Sequence, residues 1–300
     1  MMQKQVDRLK RQDAIFWIVG LMSLLFALLT LTSLIVDMAM TGWPRISKEF
    51  FMSFASRFPE RAGILSAWVG SLTVVLVTAL LAIPLGVATG VYLEEYAKKN
   101  IWTKIIEVNI LNLAGIPSIT YGLMALGVFV YQLKLGQSII TAGLTLGLLV
   151  LPIIIVTTRE AIRTIPSHIR EASYALGSTK WQTVWNHILP YSSGGILTGV
   201  VIALSRAIGE TAPLLTVGAL TFIAFLPTAP VMSTPPYVSF QWLTDPYTVM
   251  PIQMFSWVSR PQEEFHVNAA AAGLVLLTMT LLLNATAIYI RYRFRKKYKW

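Results

Sequence analysis

Long hydrophobic segments alternate with short polar ones over most of this chain. Residues 14–36 and 268–290 are two such segments of 23 residues each, and neither contains a charged side chain. About 20 apolar residues in a helix are enough to cross the hydrocarbon core of a bilayer. The joint at 132–137 is so short that it must form a tight hairpin. The pattern predicts an all-α membrane protein with six spanning helices, at residues 14–36, 65–92, 114–133, 138–157, 192–213 and 268–290.

Two parts of the chain do not follow this pattern. Residues 214–225 are apolar but too short to cross a bilayer alone. They either extend the fifth span, re-enter the membrane or lie at its interface. Residues 226–267 contain many prolines together with Trp242 and Trp257. They are either an irregular loop with an aromatic belt at the membrane surface or a docking surface for an external partner.

The composition supports a membrane protein. Charged residues make up 13% of the chain and hydrophobic residues 55%, whereas a soluble domain carries about a quarter charged residues. Cysteine is absent, which excludes disulfides and thiolate chemistry. The first hydrophobic segment follows basic residues, as in a signal peptide, but it is too long and no small-residue cleavage site follows. We therefore expect it to be a retained first helix of a single transmembrane domain, residues 1–300.

The lysines and arginines are distributed unevenly between the two sets of loops. The residues before 14, the loops 94–104 and 159–190, and the C-terminal tail together hold 17 of the 24. The loops on the other side hold 6, and Arg206 is the remaining one. Because cytoplasmic loops carry the excess of positive charge, both termini and the 159–190 loop are predicted to be cytoplasmic. The basic C-terminal tail is predicted to contact the lipid headgroups beside the last span and not to bind nucleic acid.

The loop 159–190 is predicted to form two short helices that meet at Gly177. Pro166 suits a first helical turn, and Gly177 suits the left-handed position after a helix. Residues 179–182 have the spacing of a capping box, and Pro190 closes the second helix. One face of the first helix carries Ile169, Ala172, Ser173 and Leu176, and the second helix has an apolar stripe of Trp181, Val184, Trp185 and Ile188. Such a pair either lies on the membrane or fills a groove in another protein.

The loop also resembles a known motif. Glu171-Ala172-Ser173, then Gly177, then His187-Ile188-Leu189-Pro190 is similar to the EAA loop of ABC-importer permeases. The family has alanine where this chain has Ser173 and an aliphatic residue where it has His187. The resemblance implies a type I ABC-importer permease (MetI-like) fold, with its core at residues 65–295 and a coupling helix that fits a groove of a cytosolic ATPase. The alternative is an unrelated surface helix pair. The residues expected to couple to the ATPase are Glu171, Ala172, Gly177, Trp181, Leu189 and Pro190.

The fifth span contains an arginine and a glutamate. Arg206 and Glu210 are four residues apart and are expected to share a helix face. Arg206 comes sixteen residues after Pro190, about 24 Å along a helix, which places it in the outer half of the bilayer. Charged groups there are costly and face protein or water. The pair is either an ion pair that holds spans together or an anion gate, in which Glu210 orients the guanidinium and Thr211 also lines the path.

The residues from Arg206 to Leu215, together with 177–182, are similar to the phosphate-specific (Pst-type) branch of the ABC-importer permeases and to its A-type permease subunit. The resemblance implies a subunit that moves inorganic phosphate across the plasma membrane of a prokaryote. It also implies a second, different permease subunit, two copies of a cytosolic ABC ATPase and an external phosphate-binding protein. Sulfate, molybdate or another oxyanion is the alternative cargo.

The sequence contains no ATP-binding loop of the Gly-x-x-x-x-Gly-Lys-Ser/Thr type, so a partner must hydrolyse ATP. The three histidines have no metal-ligand spacing, and no cofactor is expected. A membrane-embedded enzyme is the rival function. Such an enzyme would need clustered carboxylates, histidines or a nucleophile within the spans. The predicted spans contain only Arg206 and Glu210 as charged residues. We therefore expect a transporter subunit and not an enzyme.

Overall fold

The computed structural model describes residues 2–231 and 237–297, and these are helical or irregular. They contain no β-strand, and an isolated antiparallel bridge joins Val231 to Val238. This confirms the all-α prediction for the described part of the chain. Pro235 and Pro236 of the predicted outer loop and residues 298–300 of the basic tail lie outside the described residues.

Most of the helices follow one another with short connections, and a long connection separates α10, Ala212–Val217, from α11, Met250–Val258. Three π-helical turns lengthen or join them, at Tyr92–Tyr96, Leu126–Gln132 and Val184–Ile188. Single 3-10 turns lie at Trp43–Arg45, Pro59–Arg61 and Gln241–Thr244. The α-helices are α1 Met2–Gly42, α2 Lys48–Met52, α3 Leu65–Val91, α4 Ile101–Ala114, α5 Ser118–Ala125, α6 Ile139–Arg163, α7 Ser167–Ala175, α8 Lys180–Thr183, α9 Leu189–Gly209, α10 Ala212–Val217, α11 Met250–Val258 and α12 Glu263–Lys297.

Five helical stretches in the described residues are long and apolar enough to cross a membrane. They correspond to five of the six predicted spans. The third predicted span, 114–133, begins in the wrong place, because Ala114 ends α4 and the chain turns by 105° before α5 begins. Pro117 explains the break, since proline lacks an N–H and disfavours a helical residue before it. Six spans result when α4 and α5 are counted as one bent pair.

The core of the bundle is built by α3, α6 and α9. Val74, Leu146, Ile154 and Ala203 are buried where these helices meet. The helix α6 is the most enclosed of the spans, whereas α1 lies outside the core and contacts α12. The end of the bundle that carries the α7–α8 loop is called the inner side below, and the opposite end the outer side.

The outer hairpin between α5 and α6 is as tight as predicted. Lys134 and Gly136 have positive φ angles of 53° and 68°. The N–H of Ile139 then bonds to the carbonyl of Asp245 at 3.2 Å. The hairpin is therefore attached to the outer segment 226–267.

The outer segment is more ordered than either prediction for it. It contains α11, with Pro251 in its first turn, where proline costs no hydrogen bond. Trp257 is fully buried between Phe50 and Phe265, with ring centroids 6.1 and 6.5 Å away. Trp242 packs against the main core. The predicted aromatic belt is therefore wrong for Trp257, because its ring completes a core at the outer side.

The structure excludes one of the three predictions for residues 214–225, the extension of the fifth span. The short helix α10 ends at Gly218, whose φ angle is 98°. The chain then runs to the outer side, where Leu220 N–H bonds to the carbonyl of Tyr247 at 3.0 Å and Ser66 donates to the carbonyl of Ile223 at 3.1 Å. This stretch therefore neither extends the α9 helix nor forms a long helix of its own.

Candidate functional site

The inner loop forms the predicted helix pair. The helix α7 begins at Ser167, directly after Pro166, and ends in a left-handed Gly177 with φ of 83°. Gly177 N–H bonds to the carbonyl of Tyr174 at 2.9 Å, and Ser178 N–H to that of Ser173 at 3.2 Å. These two bonds define a Schellman motif, which satisfies the last carbonyls of α7. The predicted capping box between Thr179 and Gln182 then opens α8.

Pro190 does not close the second helix, and that prediction is wrong. The helix continues from Lys180 through the π turn into α9 and ends at Gly209. A proline normally clashes with the carbonyl four residues before it. The π turn places Leu189 N–H on the carbonyl of Val184, five residues back, and thereby widens the helix just before Pro190. The second helix of the inner loop and the fifth span are thus one continuous helix, Lys180–Gly209.

The predicted apolar stripe of the second helix is divided between two environments. Val184 and Ile188 are buried, with Ile188 packed against Ile162 and Ile165. Trp181 and Trp185 stack on each other at 5.6 Å and remain 62% and 59% exposed. In the first helix, Leu176 is 89% exposed and Ser173 is buried. We refer to Leu176, Trp181 and Trp185 as the tryptophan patch.

The remaining residues predicted to couple to an ATPase are exposed or half-buried. Glu171, Ala172 and Gly177 are exposed, and Leu189 and Pro190 are half-buried at the junction with the span. Large apolar side chains exposed next to polar ones are typical of a surface that binds another protein. The structure therefore leaves all of the predicted coupling residues at least partly accessible to a partner, and their role in coupling stays a prediction.

An ion pair that the sequence analysis missed fixes this loop to the rest of the protein. Arg170 donates through Nε and Nη2 to Oε1 of Glu95 at 3.0 and 2.7 Å, and through Nη1 to the carbonyl of Ile165 at 2.9 Å. The side chain of Glu95 is 6% exposed. Lys180 also lies 5.1 Å from the ring centroid of Tyr96. The loops 94–104 and 159–190 therefore share one side, as their charges predicted. The sequence signal that could have revealed this ion pair was the presence of Glu94 and Glu95 in an otherwise basic loop.

The charged pair lies at a break in the helix. The structure ends α9 at Gly209, and Glu210 is extended, with φ −74° and ψ 126°. The expectation that Arg206 and Glu210 share a helix face is therefore wrong. The ring of Pro213 explains the break, because it would meet the carbonyl of Gly209 in a continued helix. The ion pair nevertheless forms across the break, with Arg206 Nε 3.0 Å from Glu210 Oε1.

One edge of the Arg206 guanidinium stays available. Its side chain is 39% exposed and that of Glu210 is 16% exposed. Only Nε of Arg206 bonds to Glu210, and within the described residues Nη1 and Nη2 have no hydrogen-bond partner. A guanidinium with two free parallel donors can bind a tetrahedral oxyanion. Thr211 is half-buried directly after the pair.

Neighbouring helices hold the break in place. Ser205 Oγ donates to Asn284 Oδ1 of α12 at 2.5 Å. On the other side, α10 packs closely on α5, and a Cβ at Gly122 would overlap Thr216 and Pro213. The tryptophan patch and Arg206 thus lie near opposite ends of the helix Lys180–Gly209, whose 30 residues extend over about 45 Å.

Comparison with known proteins identifies the family. Residues 82–300 match the family described as binding-protein-dependent transport system inner membrane component. The chain belongs to this family. As one of these ABC-importer permeases, it is a membrane transport subunit and not an enzyme. Members of the family pair with an ATPase and a substrate-binding protein.

Curated relatives match over most of the chain. The phosphate transport system permease protein PstA 1 of Mycobacterium tuberculosis is 28% identical over 274 residues, which cover 90% of this chain and 85% of the relative. The protein named PstA from Yersinia pestis is 31% identical over 306 residues, covering 98% of this chain and 94% of the relative.

Solved structures show the same fold. A bacterial alginate ABC transporter chain aligns with a TM-score of 0.65 and 14% identity, covering 95% of this chain and 96% of that chain. A chain of the MetNI methionine ABC transporter in an inward-facing conformation aligns with a TM-score of 0.58 and 17% identity, covering 75% and 93%. The predicted MetI-like permease fold is therefore confirmed.

Proposed function

We propose that this chain is the permease subunit that moves inorganic phosphate into the cytoplasm, driven by ATP hydrolysis in a partner subunit. The observation that carries the proposal is the half-exposed guanidinium of Arg206, with two unpaired donors at a helix break. The names of the relatives from Mycobacterium tuberculosis and Yersinia pestis support phosphate as the cargo.

Arg206 would replace part of the water around the anion. Phosphate carries one to two negative charges near neutral pH, and stripping its water in a narrow path is unfavourable without a fixed counter-charge. Arg206 supplies that charge through the free Nη edge, while Glu210 holds the other edge when no anion is bound. Thr211 is proposed to line the same path. A lysine would offer a point charge on a flexible stem instead.

The coupling proposal concerns the opposite end of the same helix. The tryptophan patch, with Glu171, Ala172, Gly177, Leu189 and Pro190, fits a groove of the cytosolic ATPase. Because α8 and α9 form one continuous helix, a displacement of the loop moves the helix end at Arg206. The complete transporter would contain a second permease subunit, two ATPase copies and an external phosphate-binding protein, with both termini of this chain in the cytoplasm.

Uptake of radiolabelled phosphate, normalised to assembled complex in the membrane, tests the proposal. Arg206→Gln should abolish uptake, Arg206→Lys should retain little, and Glu210→Gln should be milder because it removes an orienting group. Sulfate and molybdate uptake by the unchanged protein serve as cargo controls. If Arg206→Gln transports phosphate normally per complex, Arg206 is not part of the path.

The alternative role, an ion pair that only holds spans together, predicts another pattern. Removing either partner would strand a charge and lower the amount of complex. Arg206→Gln and Glu210→Gln should then reduce protein abundance equally and leave uptake per complex unchanged. Quantitative immunoblots of membranes therefore separate the two roles.

A further inference from the structure

A polar cleft lies beside the inner loop, between α4 and the inner ends of α3 and α6. Its volume is about 780 Å³, which lies in the range of about 300–1,000 Å³ found for ligand pockets. Neither the tryptophan patch nor Arg206 contributes to it. The charged side chains that line it are Lys99, Lys104, Arg159, Arg163, Glu94 and Glu107.

The arginines of the cleft are already neutralised by its carboxylates. Arg159 Nη2 lies 2.6 Å from Glu107 Oε1, and Arg163 Nε lies 3.0 Å from Glu94 Oε2. Within the described residues, Lys99 and Lys104 form no ion pair. The uncompensated positive charge of the cleft therefore belongs to these two lysines.

The helix α4 presents a charged face and an apolar face. Ile101, Lys104 and Glu107 line the cleft, whereas Trp102 and Ile106 do not line it and are 71% and 50% exposed. The angle of 105° between α4 and α5 places α4 close to the membrane plane if α5 crosses it. An amphipathic helix in this orientation buries its apolar face at the boundary between headgroups and acyl chains.

We infer that the cleft binds the headgroup of an anionic phospholipid from the inner leaflet. Basic pockets between transmembrane helices on the cytoplasmic side bind such headgroups. Lys99 and Lys104 supply the counter-charge for the phosphodiester, and the acyl chains lie along Ile101 and Ile106. A soluble phosphate ester would leave this apolar face uncovered, so the lipid is the better fit. The inference takes the inner side as cytoplasmic, as proposed above, and does not depend on the transported anion.

Native mass spectrometry of the assembled transporter tests the inference. The detergent-solubilised complex is titrated with dioleoylphosphatidylglycerol, and with dioleoylphosphatidylcholine as the zwitterionic comparison. The double variant Lys99→Gln/Lys104→Gln should bind phosphatidylglycerol about 30-fold more weakly, since each lysine near a headgroup contributes about a factor of five. The matched control Lys10→Gln/Lys98→Gln removes the same charge from the same predicted side but outside the cleft, and should bind as the unchanged protein does.

Several results would overturn the inference. They are equal binding of both lipids by the unchanged complex, equal losses in the two double variants, and displacement of the lipid by an equal concentration of glycerol 3-phosphate. A protein cross-link formed by Ile106→Cys to another subunit would assign the apolar face to that subunit instead. The single variant Lys104→Gln, with about a fivefold loss expected, keeps the test valid if the double variant does not assemble. Phosphate uptake is not a readout here, so failure of lipid binding leaves the cargo proposal intact.

Discussion

The joint at Gly177 allows the sharpest test of coupling. Its φ angle is 83°, a left-handed conformation that a β-branched residue rarely adopts. A Cβ added at Gly177 would meet no atom within 4 Å. The substitution Gly177→Val therefore strains the backbone without a steric clash, at a cost of roughly 1–2 kcal/mol.

This cost acts on the loop and not on the core. The Schellman bonds of Gly177 and Ser178 fix the direction in which the chain leaves α7 towards α8, and their loss changes the position of Leu176 relative to the two tryptophans. A penalty of about 1–2 kcal/mol shifts a two-state population by about 5–30-fold. We expect phosphate uptake per complex to fall by about that factor, with weaker ATPase binding or with ATP hydrolysis that no longer depends on transport.

Two variants control for the strain itself. Gly136 has a φ angle of 68° and equally open space around a Cβ, but it lies in the outer hairpin. Gly136→Val should therefore cost a similar amount of stability and leave coupling intact. Gly177→Asn should retain most activity, because asparagine tolerates the left-handed region.

The assay is uptake and ATP hydrolysis by the assembled transporter in proteoliposomes. Thermal unfolding of each variant supplies the stability comparison. Normal uptake by Gly177→Val would show that the loop geometry is not needed for coupling. Equal losses in Gly177→Val and Gly136→Val would attribute the effect to general strain instead.

Three further predictions address other parts of the chain. Arg170→Ala should destabilise the complex by roughly 3 kcal/mol, since it leaves the buried carboxylate of Glu95 without its partner. Arg163→Ala should cost at most about 1 kcal/mol, because the Arg163 side chain is 47% exposed. Thermal unfolding that ranks the two variants in the reverse order would contradict this. Gly122→Val should separate α10 from α5 and lower phosphate uptake per complex. Gly127→Val should leave uptake unchanged, because a Cβ at Gly127 meets no atom within 4 Å. Equal uptake by the two variants would refute the close-packing argument. Reporter fusions after Trp300 and within residues 237–244 should give cytoplasmic and external signals respectively, and identical signals would disprove the proposed orientation.

The sequence by itself determined the features that depend on neighbours along the chain. Hydrophobic length predicted six spans, and five of them match long apolar helices in the structure, because crossing a bilayer sets a minimum number of apolar residues. The left-handed Gly177 and the Thr179–Gln182 capping box were predicted correctly, since helix caps are satisfied by residues within a few positions. The coupling motif was recognisable for the same reason, as its spacing is local.

Only the tertiary structure decided which neighbours each residue meets. Pro190 was expected to end a helix, but the preceding π turn accommodates it. Trp257 was expected either at the membrane surface or on a docking surface, but Phe50 and Phe265 enclose it. The Glu95–Arg170 pair joins residues 75 positions apart, and no local pattern specifies such a partner. Arg206 and Glu210 remain paired although their helix ends between them, because proline geometry breaks the backbone while long side chains still reach each other across the break.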